Sequence, residues 1–138
     1  MRGPLGIAVA IALMASNARA DVSSWCLWTQ LYDLHAVASR CGGKASPEAE
    51  AGYERLRKAT EAAVLRDAQL HAGGSAESAS AEMAQYAAKS RPIDPKRCEE
   101  PRLKRAVEIF QTLGSSDNVT KLVADLANRR DPYEGDCL

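Results

Sequence analysis

Four cysteines, Cys26, Cys41, Cys98 and Cys137, are the side chains of this sequence with the widest chemical repertoire. They could form disulfides, a redox pair or a metal site. No two stand in a C-x-x-C arrangement and the spacings match no zinc pattern, so a dithiol active site and a structural zinc are both disfavoured. Disulfides remain, as expected of a chain exported to an oxidising compartment.

Two histidines could titrate near neutrality. His35 stands two residues from Asp33, and His71 precedes Gly73-Gly74. Acid–base or metal chemistry would need them to converge with carboxylates, which the spacing does not supply. The expected roles are a partly buried His35 and a cation at a helix C-terminus for His71. Two acidic groups, Asp94, Glu99 and Glu100 around Cys98 and Asp131, Glu134 and Asp136 near the end, could do hydrolytic work as paired carboxylates. With no nucleophile or partner acid indicated, they read as solvated loop charges.

The sequence contains no C-x-x-C-H, G-x-S-x-G, H-E-x-x-H, P-loop, dinucleotide fingerprint or EF-hand loop. No catalytic residue, metal ligand or cofactor is assigned, and the chain is not expected to be an enzyme. Asn118-Val119-Thr120 spells a glycosylation sequon, but its place in the first turn of a helix makes the match accidental.

An aromatic row on one helix, Trp25, Trp28 and Tyr32 with His35 one turn on, is the best candidate for function. Tryptophan and tyrosine are enriched in binding hot spots. Trp28, Tyr32 and His35 are therefore the candidate binding residues. Trp25 flanks Cys26 and is expected to be buried against a disulfide, with Trp28 partly exposed.

These residues need a scaffold, and the periodicity supplies an all-α one, a disulfide-stapled bundle of four to five helices. A first helix starts at Ser23 or Ser24, turns Leu27, Leu31, Leu34, Ala38 and Cys41 inward, and stops at Gly42-Gly43. Ser46-Pro47-Glu48 opens a second, with Ala49, Tyr53, Leu56, Thr60 and Ala63 buried. A weaker third runs from Ser75 to Lys89 on Ala76, Ala79, Met83 and Tyr86. Ser90 to Pro95 is a connector, since two close prolines forbid a continuous helix. A fourth helix enters at Pro101 and packs through Leu103, Val107, Phe110 and Leu113. The last, capped by Ser116 or Asp117, buries Val119, Leu122, Val123 and Leu126.

The helices also rank the disulfides. Cys26 and Cys41 share one helix and stand about 22 Å apart at 1.5 Å per residue, beyond the roughly 7 Å a disulfide allows. Up-and-down packing brings Cys98 to the Cys41 end and lets the tail carry Cys137 towards Cys26. Cys41–Cys98 with Cys26–Cys137 is favoured, and Cys26–Cys98 with Cys41–Cys137 is the alternative.

Residues 1–20 carry Arg2, an apolar run from Leu5 to Ala15 and the small-x-small site Ala18-Arg19-Ala20, the layout of a cleaved signal peptide. The run is too short for a membrane span, which takes about 20 apolar residues. Residues 21–138 would form one helical domain, periplasmic or secreted, with no membrane insertion after cleavage. Loss of Arg2 and Arg19 from 18 basic and 18 acidic side chains leaves a formal net of −2, which gives no argument for nucleic acid. The expected function is a non-enzymatic interaction protein of the cell envelope: an inhibitor, an immunity-type partner or an adaptor. Its partner would be another envelope or secreted protein, and the chain itself a monomer or weak dimer. The alternative is a bundle holding a small ligand or metal between its helices.

Overall fold

The computed structural model describes residues 23–70, 73–113 and 117–128, and every regular element in them is helical. The expected leader, His71, Cys137 and the acidic residues Asp131, Glu134 and Asp136 lie outside the described residues. The elements are α1 (Ser24–Cys41), α2 (Pro47–Leu70), α3 (Ala76–Lys89), a 3-10 turn (Pro95–Glu99), α4 (Pro101–Thr112) and α5 (Asp117–Asn128). None of these helices is long and apolar enough to cross a membrane.

Local chemistry sets the ends. Ser23 accepts a hydrogen bond from the Cys26 N–H at 3.1 Å, and Ser46 accepts one from Ala49 at 3.1 Å, so each serine satisfies an orphan donor of the first turn. Ser75 and Ser78 bond reciprocally as a capping box at the start of α3. α1 closes with the Gly42 N–H on the Ala38 carbonyl at 2.8 Å, and Gly43 follows with φ +66°, a left-handed backbone that side chains with a Cβ disfavour. Pro101 starts α4 where its missing N–H removes nothing.

The main core lies between α1, α2, α4 and α5. Leu31, Leu34, Val37, Leu56, Phe110 and Leu126 are at most 1 % exposed. The stripes expected on α2 and α5 are the buried ones, with Val123 at the margin. α4 adds Ala106 and Ile109 to the expected set and leaves Val107 half-buried. Cys41, expected inward, is also half-buried. It is joined to Cys98 with a Cα–Cα distance of 5.3 Å, which pins the 3-10 turn to the end of α1. Arg40 Nε donates to the Ile93 carbonyl at 3.2 Å and fastens the preceding connector to the same place. Cys26 is held in a disulfide as well, and its expected partner lies outside the described residues.

Polar ties complement the core. Ser24 Oγ donates to Asp67 at 2.7 Å, Asp67 pairs with Arg66, and Arg66 Nη1 donates to the Leu126 carbonyl at 2.7 Å. That chain links α1, α2 and the last turn of α5, where a guanidinium also suits the helix dipole.

Candidate functional site

Residues 25, 28, 32 and 35 follow at steps of three, four and three, so α1 projects all four along one stripe. The structure divides that stripe between two environments. Trp25, Trp28 and Tyr32 face α3 and form a second, separate cluster with Val64, Leu65 and Ala68 of α2 and Ala79, Met83 and Tyr86 of α3. His35 lies instead beside the main core.

Within the second cluster Trp25 and Trp28 stack with centroids 5.5 Å apart, and Trp28 and Tyr32 meet at 5.5 Å. Tyr86 stands edge-on to all three, at 6.2 Å from Trp25, 5.7 Å from Trp28 and 5.7 Å from Tyr32. Perpendicular contacts of this kind suit the opposite charges of ring face and ring edge. Tyr86 then donates its hydroxyl to the carboxylate of Asp33, at 3.0 and 2.9 Å from its two oxygens. A hydrogen bond to a charged acceptor is stronger than a neutral one.

The burial of the two tryptophans reverses the expectation. Trp28 is 7 % exposed and belongs to the interior, whereas Trp25 is half-buried. Trp28 is enclosed in the cluster with the buried Val64 of α2 and Ala79 of α3, whereas Trp25 packs at its partly buried margin. Tyr32, Met83 and Tyr86 are also half-buried, so the cluster has a closed centre and an open aromatic rim.

His35 stacks flat on Tyr53, with centroids 4.2 Å apart and planes 5° from parallel, and both rings lie 5.6 Å from Phe110. Its Nε2 stands 3.6 Å from Glu50. Burial pushes the Tyr53 hydroxyl up to about 12, against a smaller opposing pull from Arg57. The imidazole has a carboxylate beside it and an aromatic plate beneath it, which orients the ring. Trp28 and Tyr32 belong to the second cluster and His35 stacks on Tyr53 beside Phe110, so the three share a helix face and divide between two clusters.

The acidic group near Cys98 is engaged in structure. Asp94 caps the 3-10 turn through Lys96 N–H at 3.0 Å. Glu99 pairs with Lys104 at 2.7 Å and Glu100 with Arg97 at 2.9 Å, and both carboxyls are held below their usual range by those partners. Among the described residues no three His, Cys, Asp or Glu gather as a metal site.

Sequence reasoning placed Tyr86 on the inward stripe of the third helix, as found, but brought neither it nor Asp33 to the aromatic row. Tyr86 is the sole aromatic in an alanine- and serine-rich helix, which marks it as the anchor of that helix. Asp33 carried no local signal, because its partner is 53 residues away. Comparisons with protein-family models, with the curated proteins and with solved structures find no match to this chain.

Proposed function

We propose that this chain is an exported, non-enzymatic interaction protein of the cell envelope, a monomer or weak dimer that binds another envelope or secreted protein. The observation that carries the reading is the aromatic rim. Trp25, Tyr32 and Tyr86 are half-exposed around a buried Trp28, on a frame braced by Cys41–Cys98. Aromatic side chains bring large contact area at low entropy cost, and a rigid frame lowers the ordering cost of binding. The binding residues proposed are Tyr32, with Trp25 and Tyr86 beside it, and His35 at the far end of the stripe. Trp28 supports them from below. Export rests on the layout of residues 1–20 and agrees with a disulfide-bonded domain.

The test has two arms. Expressed from its own leader, the chain should appear outside the cytoplasm with Asp21 as its first residue; retention inside with residue 1 intact would end the export reading. The purified domain should then capture an envelope or secreted protein, and Trp25→Ala with Tyr32→Ala should remove that capture while circular dichroism shows the helices intact. Capture that survives the double substitution would move the interface elsewhere.

A further inference from the structure

Helix α3 differs from the other four in how it is attached. It contributes no residue to the main core among those described, and Ala79 is its one buried side chain. Its backbone runs along α2, and among the described residues it meets the α1 row through Ala79, Met83 and Tyr86 and the Tyr86–Asp33 hydrogen bond. The chain on either side can bend. Gly73, at φ +80°, and Gly74 precede it, and exposed Ser90, Arg91 and Pro92 follow it. Beyond those residues the chain is pinned again, by Arg40 on the Ile93 carbonyl and by Cys41–Cys98.

We propose that α3 is a lid over the aromatic row, hinged at Gly73-Gly74 and Ser90–Pro92 and latched by Tyr86 on Asp33. The pins at Ile93 and Cys98 confine the motion to the segment between the hinges, so α1, α2, α4 and α5 stay packed while it opens. Segments with few buried apolar contacts open at lower free energy than the core they rest on. The open state uncovers Trp25, Trp28 and Tyr32 as one continuous face. In the closed state Tyr86 fills that face, so it sets how much of the row is available. The use of this opening in binding rests on the interaction reading above; the opening itself does not.

Native-state hydrogen exchange on the disulfide-intact chain tests the lid. The amides of Ala79 to Tyr86 should exchange together, through one shared opening, at least about a hundredfold faster than those of Leu34, Leu56 and Phe110. Tyr86→Phe keeps the ring and removes the latch. It should speed exchange of α3 by about tenfold or more and increase acrylamide quenching of tryptophan fluorescence. Ile109→Val weakens the main core alone, so it should speed the three core amides and leave α3 exchange unchanged. Exchange of α3 in step with the core, or an equal effect of Ile109→Val on both, would overturn the proposal. Because no partner enters these measurements, they can fail without the interaction reading failing, and the reverse.

Discussion

The main core and the aromatic cluster under α3 are both apolar, but they are built differently. The main core draws on four helices and fills with branched aliphatics, alanines and the rings of Tyr53 and Phe110. The second cluster places four aromatic rings against Val64, Leu65 and Ala68 of α2 and Ala79 and Met83 of α3, and among the described residues α3 is the helix that closes it. A core of the first kind is cooperative, since removing any member disturbs several helices. The second kind has large rings but few neighbours to hold them, so its closure is a local equilibrium. Of the row on α1, Trp25, Trp28 and Tyr32 belong to the second kind, and His35 sits beside the first.

The largest test of that contrast is a pair of truncations. Phe110→Ala should cost about 3–5 kcal/mol, because the ring is fully buried among α1, α2, α4 and α5. Trp28→Ala should cost about 3 kcal/mol, at the low end of the same range, because α3 can settle into the space. Thermal melts of the two variants would check this, and a Trp28→Ala loss exceeding that of Phe110→Ala would make the second cluster part of the cooperative core.

Alkaline pH probes the first region alone, at the His35–Tyr53 stack beside Phe110. The folded Tyr53 hydroxyl titrates at about 12 and the unfolded one near 10. Stability from keeping this phenol neutral is therefore fully present below pH 10 and declines as pH rises from 10 to 12, by about 2–3 kcal/mol in all. Tyr53→Phe should flatten that decline without flattening the acid limb. A melting profile whose alkaline slope is the same in both proteins would show that Tyr53 is not its source.

How much was legible from sequence follows the same division. Where apolar residues recur at helical spacing between a serine cap and a glycine or proline, as from Ser46 through Ala63, face and boundaries both emerge, since local chemistry decides them. Of the two pairings left open, the structure holds the favoured Cys41–Cys98, the one that up-and-down packing of the helices brings together. The inversion of Trp25 and Trp28 did not emerge. Both lie on one stripe of one helix, and which of them is covered depends on where α3 crosses, a long-range outcome with no local signature. The Tyr86–Asp33 bond and the His35–Tyr53 stack are of the same kind, joining residues that only packing makes neighbours.

The smallest effects come from two glycines with matching backbones in the two regions. Gly43, at φ +66°, closes α1, and Gly73, at φ +80°, leads into α3; a Cβ at either would meet open space within 4 Å. The cost of alanine at each is therefore conformational, about 1 kcal/mol for a left-handed residue. In Gly43→Ala that cost falls on the joint next to Cys41, so it should lower the melting temperature of the whole domain and speed core amide exchange. In Gly73→Ala it falls on the hinge of a helix that opens by itself. Exchange of α3 should quicken by about the same factor, roughly fivefold, and that of Leu34 and Phe110 with it, because the strain is lost in the open and the unfolded state alike. Gly43→Ala should leave α3 exchange unchanged, since its joint stays folded when the lid opens. An effect of Gly43→Ala on α3 equal to that on the core would mean that α3 unfolds only with the rest, and the two regions would then be one.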